Sequence, residues 1–387
     1  MASRLFGGVE GGGTKTTLAI FDETGKPLVH IETKEGTNLA LVGPTVIASR
    51  IKALVITAYS THPSVLCRKL TCLGLGLSGA EDKQVIEALK IELKSQLCPK
   101  YLSNVSRAIT IVSDSIASLR AVTDGEGILL ISGTGSCCVL LPPDVSSHDA
   151  IIRCGGGGHL IGDEGSAIQI ALSAIRLYFQ LVEGREHLHF SVKDLDMVET
   201  LLSQHFELSP SWKKSDLYHA LYSTSIGDMK ARVAGLTERI ASAAEKGDRV
   251  CSFLFKQAGI ELGDMICAVL QRRTFPGGTN SCVVCVGSVF QSWTLLMQGV
   301  WQSLTYRGLQ SAISGIYHIH GSSAYGAARV AASKLVGAET GATQLPLLHK
   351  SHLKSLYERE QTNRAHRGRS VAIVAASLLA ACLIVYY

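Results

Sequence analysis

Residues 7–16, GGVEGGGTKT, and residues 130–136, LISGTGS, decide how this chain folds. Each is a glycine turn set between two apolar runs: LFGGVE before TTLAIFD in the first, GILLI before SCCVLL in the second. Short runs of this kind joined by glycine read as strand, tight turn, strand. One such unit stands in each half, the mark of a weak internal duplication. A third run, PLVHIET, follows a DETGKP turn. Residues 45–60 then carry helical periodicity, TCLGLGLSG (71–79) is a buried strand, and 81–97 an amphipathic helix whose first turn suits Glu81 and Asp82. AITIVSD (108–114) is a strand and SIASLRAV (115–122) a helix. Hairpins beside helical crossovers imply an α/β chain, its mixed sheets covered by helices.

The second half is more helical from about Asp163 to Ala342. Residues 164–184 and 232–271 hold long helical patterns, while VVCVGSV (283–289) and SGIYHIHGS (314–322) return to strand. Segment 349–370 is polar and basic, and reads as a linker or exposed helix. The domains expected are 1–122, 123–345, and a basic linker with hydrophobic tail at 346–387. Residues 370–387, SVAIVAASLLAACLIVYY, carry no charge and follow Arg364, Arg367 and Arg369. Eighteen helical residues span about 27 Å, slightly short of a hydrocarbon core of roughly 30 Å. A tail anchor facing the cytosol, a packed terminal helix and a variant end all remain open.

Of the 387 residues, 46% are hydrophobic and 18% charged, the opposite of the balance disorder needs. A net charge of +5 is too weak and dispersed to argue for nucleic acid. The 11 cysteines follow no framework spacing, so reduced thiols in the cytoplasm are the reading. Cys282 and Cys285 form a lone C-x-x-C inside a strand-like run, which suits buried packing better than zinc.

Chemistry gathers at four places. Gly11, Gly12, Gly13 and Thr14 let backbone approach a bulky anion and point N–H groups at it, though the segment is not a P-loop. Gly133, Thr134, Gly135 and Ser136 repeat the device, and two such loops can cradle one nucleotide's phosphates from both sides of a cleft. Asp114 ends a strand where a helix begins; it is either a helix cap or a general base. Ser78 and Gly79 are either a strand-end turn or a cleft edge. CGGGGHLIGDEGSA (154–167) orders four glycines at a cost that a mere connection would waste. A loop wrapping a polar small molecule accounts for it, with His159 and an acid supplying hydrogen bonds; Asp163 or Glu164 is alternatively a cap.

GGVEGGGTKT, LGLSG, SDSIAS, LISGTGS, CGGGGHLIGDEGSA and VCVGSVFQSW stand in the order and approximate spacing of the eukaryotic N-acetylglucosamine kinases, which the chain resembles from about Phe6 to Leu335. These belong with the sugar kinases, actin and heat-shock chaperone ATPases. The resemblance implies a two-lobed actin-like (ribonuclease H-like) fold with an inter-lobe cleft, a homodimer, and magnesium-dependent transfer of the γ-phosphoryl of ATP to the 6-hydroxyl of N-acetylglucosamine. It puts Gly13 and Thr14 in the first phosphate loop, Thr134 in the second, Glu10 near the metal, and Asp114 as base. Asn38, Ser136, Cys137, Gly156, Gly157, Gly158, His159 and Asp163 match the sugar site, with Asp114; Gly235, Ser288 and Ser292 match the adenosine side. Three positions depart from the pattern: Gly157 replaces a tryptophan, Cys137 an asparagine, and Leu39-Ala40 a His-Trp pair. Dehydratase-activating ATPases share the GGGT and GDEGS loops, but the cysteine motif of their iron–sulfur cluster is not evident. The rival reading is a nucleotide-binding scaffold with weak or altered sugar kinase activity.

Overall fold

Strand β1 (Leu5–Gly11) turns through the first glycine loop into β2 (Thr16–Phe21), which pairs with it antiparallel, Phe6 opposite Phe21 and Gly11 opposite Thr16. Strand β3 (Pro27–Thr33) adds antiparallel to β2 at the edge. Helices α1 (Leu39–Val42) and α2 (Pro44–Thr61) lead to β4 (Leu70–Leu77), parallel to β1. Helix α3 (Lys83–Leu97) leads to β5 (Ile109–Ser113), parallel to β4, and α4 (Asp114–Arg120) closes the first half. The sheet order is β3-β2-β1-β4-β5.

The same pattern then repeats. Strands β6 (Gly127–Ser132), β7 (Ser136–Leu141) and β8 (Ile152–Gly155) form an antiparallel meander. Helices α5 (Ala167–Val182), α6 (Asp196–Phe206), α7 (Lys214–Tyr222), α8 (Ile226–Glu245) and α9 (Arg249–Gln271) follow. Strand β9 (Ser281–Val286) is parallel to β6, and β10 (Ile313–Ile319), reached through α10 (Trp293–Tyr306), is parallel to β9. After α11 (Ala324–Val336), strand β11 (Leu353–Glu358) joins the edge, giving the order β11-β10-β9-β6-β7-β8. The duplication expected from the two glycine hairpins is therefore a duplication of topology, and the fold is the actin-like pair of mixed sheets. This computed structural model describes residues 4–103, 108–143, 151–223, 225–273, 280–319, 323–336, 345–346 and 353–358. The hydrophobic tail at 370–387 lies outside the described residues; among those described, no helix is long and apolar enough to cross a membrane.

Two sequence expectations give way here. The pattern over 232–271 is broken by KGD: Gly247 takes φ +96°, and the Asp248 side chain caps α9 by accepting from the Cys251 N–H at 2.8 Å. Part of the segment read as linker or helix, residues 353–358, is strand β11; an available sheet edge outweighs local polarity.

One core cluster lies between the first sheet and α2 and α3, with Leu18, Ile20, Ile47, Ile51, Leu73 and Leu93 fully buried. Each such side chain contributes about 1.5–3 kcal/mol. The opposite face is covered by α11, whose Ala324, Ala328 and Ala331 pack with Phe6 and Cys72. Although α11 follows the second sheet in sequence, it lies on the first. The fit is closest at Gly326, where a Cβ would fall 1.8 Å from the Ala117 carbonyl oxygen of α4. Gly326→Ala must therefore push α11 off α4. Overpacking of this kind costs about 1–3 kcal/mol or more, and the urea midpoint should fall accordingly; an unchanged midpoint would show that the two helices are not locked.

Candidate active site

Parallel strands β1, β4 and β5 end side by side: Glu10 is opposite Gly76, and Leu77 opposite Ser113. Ligands of open α/β sheets bind outside such carboxyl ends. Beyond β1, the Gly12 N–H donates to the Lys15 carbonyl at 3.1 Å, closing the first loop. The Thr37 N–H (2.8 Å, to Gly12 O) and the Ser78 N–H (2.9 Å, to Gly11 O) hold it from behind. Gly13 and Thr14 are exposed, and a Cβ at Gly12 or Gly13 would meet nothing within 4 Å. The loop thus presents backbone to open space.

The second loop is braced harder. The Gly133 N–H donates to Gly135 O at 2.9 Å, and the Ala167 N–H of α5 donates to Gly133 O at 2.9 Å. The Ser136 N–H donates to Asp163 Oδ1 at 3.1 Å, and Ser136 Oγ donates to the Glu164 carbonyl at 2.6 Å. Asp163 is 4% exposed, holds a left-handed φ of +60°, and is ion-paired to Lys230 of α8 at 3.3 Å. Neither Asp163 nor Glu164 caps α5; Ser166 does, its hydroxyl accepting from the Gln169 N–H. Behind the turn, Glu261 of α9 accepts from the Gly165 N–H at 2.6 Å, and burial pushes its carboxyl above the ordinary value.

Asp114 is not the cap of α4. That role falls to Ser113, whose side chain accepts from the Ile116 N–H, leaving Asp114 as the first helical residue. Its Oδ1 accepts from the Ser115 N–H at 2.7 Å, and its Oδ2 accepts from Ser78 Oγ at 2.5 Å. Both bonds orient a half-buried carboxylate at the wall of a cavity of ≈ 690 Å³. Ser78, Gly79, Glu81 and Ser115 line the cavity from the first half of the chain; Ile131, Cys137, Val139, Leu141, Ile151 and Arg153 line it from the second. The space lies between the two sheets, as a cleft enzyme requires.

Of the residues nominated from sequence, the cavity wall brings together Asp114 and Cys137, with Ser78 and Gly79 beside them. Asn38 stands next to that edge: its side chain accepts from the Ala40 N–H, and a Cβ at Gly79 would come within 2.8 Å of its Oδ1. Ser136 adjoins Cys137, and Thr134 accepts from the Ile168 N–H at 3.4 Å. Gly156, Gly157, Gly158 and His159 form the turn after β8, tied down by Gln169 Nε2 donating to the His159 carbonyl at 3.2 Å; they do not line the cavity. Asp163 is spent on the second loop. Glu10 Oε2 accepts from the Ser323 N–H at 3.0 Å. Gly235 lies within α8 against His205, while Ser288 and Ser292 bound the short 3₁₀ turn after Gly287. Cys282 and Cys285 sit in β9, where burial pushes Cys282 up to about 12; no group of three or more metal-binding side chains occurs among the described residues.

Sequence reasoning missed Arg153, Lys230 and Glu261. For Arg153 a signal existed: in IIRCG it alternates with Ile151, so both face one side of a strand. Lys230 and Glu261 sit 67 and 96 residues from their partners, with no local signal.

With fold and cavity described, the class of protein is defined: residues 8–331 match the BadF/BadG/BcrA/BcrD ATPase family, and the chain belongs to that family. Among individual relatives it is 28% identical over 267 residues to an N-acetylmuramic acid/N-acetylglucosamine kinase of Clostridium acetobutylicum, covering 68% of this chain and 78% of that one. It is 27% identical over 283 residues to an N-acetyl-D-glucosamine kinase of Dictyostelium discoideum, covering 70% and 81%. A Chromobacterium violaceum structure assigned as an N-acetylglucosamine kinase shares the fold, with a TM-score of 0.55 at 24% identity over 85% of this chain and 99% of that one.

Glu261 yields a pH prediction. A carboxyl raised by burial favours the folded state when protonated, and that contribution is lost as pH rises through its folded value. Glu261→Gln keeps an acceptor for the Gly165 N–H but cannot ionise. The stability of the native protein relative to this variant should therefore rise as pH falls from neutral through the carboxylate range, read by urea midpoints across pH. A flat difference would mean Glu261 is not desolvated.

Proposed function

We propose that the chain is an ATP-dependent kinase that phosphorylates the 6-hydroxyl of N-acetyl-D-glucosamine. The observation that carries this reading is Asp114: a carboxylate held by the Ser78 hydroxyl and the Ser115 N–H, aimed into the cleft, and not used as a helix cap. A base so placed takes the proton of an acceptor hydroxyl as it attacks the γ-phosphorus. Phosphoryl transfer otherwise needs positioning and charge stabilisation. The Gly11–Thr14 and Gly133–Ser136 loops supply backbone donors for the phosphates, and Asp163 and Glu261 keep the second of these in shape. The names of the Clostridium and Dictyostelium relatives support an amino sugar as acceptor.

Magnesium belongs to this reading. Mg²⁺ is usually held by one or two carboxylates together with substrate phosphates, and Glu10 offers a carboxylate at the end of β1. The ion, when bound, neutralises charge on the β- and γ-phosphates. Gly235, Ser288 and Ser292 serve the adenosine, while Asn38 and the 156–159 turn serve the sugar. The division into lobes at 122/123 falls between α4 and β6, with α11 returning to the first lobe. A homodimer, a cytoplasmic setting and, for residues 370–387, a cytosol-facing tail anchor complete the proposal; fractionation of the full chain against Leu379→Arg tests the last.

Asp114→Asn keeps the volume and loses the base. Phosphorylation of N-acetylglucosamine should fall by ~10² to 10⁴, while ATP binding, followed by calorimetry, survives. Near-normal turnover in a folded variant would leave Asp114 a structural residue and favour the rival reading of a nucleotide-binding scaffold. Gly13→Val places a branched side chain in the space the first loop keeps open. It should weaken ATP binding more than sugar binding; the reverse order would overturn the assignment of the loop.

A further inference from the structure

A second cavity, of ≈ 440 Å³, shares no lining residue with the space between the two sheets. One wall is a stripe of α9: Arg249, Phe253 and Lys256, spaced i, i+4 and i+7, fall on one face of the helix. Thr294 and Gln298, one turn apart on α10, also line it. The two helices run in close contact below the groove, where a Cβ at Gly259 would fall 2.1 Å from the Leu296 carbonyl oxygen. The end of the groove is aromatic. Phe190, 8% exposed, stacks on His187 at 5.5 Å and 16°, and meets Phe253 edge-on at 5.2 Å and 76°. The His189 ring stands 5.4 Å from Phe253, and the His189 N–H donates to His187 Nδ1 at 3.2 Å. The rings hold one another, so the panel is ordered before anything binds to it.

The charge of the groove has one sign. Arg249 and Lys256 line it, and no carboxylate does. Lys256 is half-buried and has no ion pair among the described residues. Arg249 reaches Asp194 only at 3.7 Å with its side chain 77% exposed, a pairing of the kind that contributes little. The side chains of Thr294 and Gln298 likewise have no hydrogen-bond partner among the described residues. Two helical turns separate the cations, about 10 Å along the axis, a gap that two long side chains close on one anion. A phosphate monoester carries about −1.5 to −2 at neutral pH, which two cations match and a carboxylate does not. Aromatic side chains take a nucleobase by its face. Gly235, Ser288 and Ser292, nominated for adenosine, are not among the lining residues. We infer that this groove is a ligand site outside the cleft for a nucleoside monophosphate: the base on His189 and Phe253, the phosphate on Arg249 and Lys256, and the sugar hydroxyls on Thr294 and Gln298. It stands apart from the kinase reading and does not need it.

The probes are UMP and GMP, a pyrimidine and a purine, with uridine and inorganic phosphate as their parts. Each is titrated calorimetrically into the full chain. At least one nucleotide should bind saturably, and uridine and phosphate each far more weakly. Losing one charge-assisted hydrogen bond weakens binding by roughly tenfold or more, so Arg249→Gln and Lys256→Gln should each raise the Kd for the nucleotide by that order. Neither should change the affinity for uridine. Phe253→Leu keeps apolar volume, removes the ring and should weaken nucleotide and uridine alike. Gly13→Val, in the first glycine loop, should leave this binding as it is. Absence of saturable binding by both nucleotides would overturn the inference. So would binding that ignores Arg249→Gln, Lys256→Gln and Phe253→Leu but is lost in Gly13→Val, because the nucleotide would then sit in the cleft. Uridine binding as tightly as UMP would remove the phosphate from Arg249 and Lys256 and overturn it too. Melting curves establish that the variants fold; the two Gln variants, at side chains outside the core, carry the test even where Phe253→Leu does not fold.

Discussion

Helix α4 is the joint on which the rest of the molecule depends. It has seven residues, too few to be stable as an isolated helix, so packing must hold it. On one side Gly76 of β4 lets it approach the first sheet: a Cβ there would stand 2.5 Å from the Ala117 Cβ. On another side Gly326 admits the backbone of α11 against it. On the third, Ile116 and Leu119 join Leu129, Cys137, Val139, Leu141 and Val284 of the second sheet in one cluster. Its C-terminal Arg120, 7% exposed, donates from Nη2 to the carbonyls of Pro142 at 2.7 Å and Pro143 at 2.8 Å, at the end of β7. A helix gripped on three sides cannot drift, and its first residue is Asp114.

That rigidity fixes where the Asp114 carboxylate stands at the cavity wall. In the function proposed above, a general base is useful only where its carboxylate meets the acceptor in a fixed orientation. Asp114 obtains its position from α4 and its rotamer from Ser78 and Ser115. Because Ser113 does the capping, the Asp114 carboxylate is not committed to satisfying the helix end. The two glycine loops differ in the same terms. The first is a plain hairpin held by backbone bonds from Thr37 and Ser78. The second is braced by buried Asp163, and through it by Lys230, while Glu261 secures the turn that follows. Topological duplication has thus left one loop supported by backbone and the other by charge.

The glycines serve three separate ends. Gly76 and Gly326 are packing residues, where an added methyl meets backbone or a neighbouring methyl. Gly12 and Gly13 face open space, so what they preserve is access from outside. Gly156 makes room for the Arg153 guanidinium. Among the described residues, the cavity wall combines apolar side chains of β7 with Arg153 on β8, a surface quite unlike the hydroxyl-lined edge formed by Ser78, Ser113 and Ser115.

Much was legible in the order of residues. Both glycine hairpins, the strand before Asp114 and the duplication could be read because each is a local pattern of apolar runs and turns, and local patterns are written contiguously. The family's motifs likewise keep their order along the chain. What tertiary structure decided was which nominated residues share a cavity. Asp114 and Cys137 do; Asp163 does not, because its buried carboxylate is consumed by Ser136 and Lys230. The cap of α4 turned on whether Ser113 or Asp114 points at the Ile116 N–H, a one-residue question of dihedral angles. Strand β11 depended on an open edge supplied by β10. Arg153 became visible only when β8 lay beside β7, and Glu261 only when α9 crossed behind Gly165. Such contacts join residues far apart in sequence, and no local propensity records them: they are set by strand register and helix packing, which exist only in the folded chain.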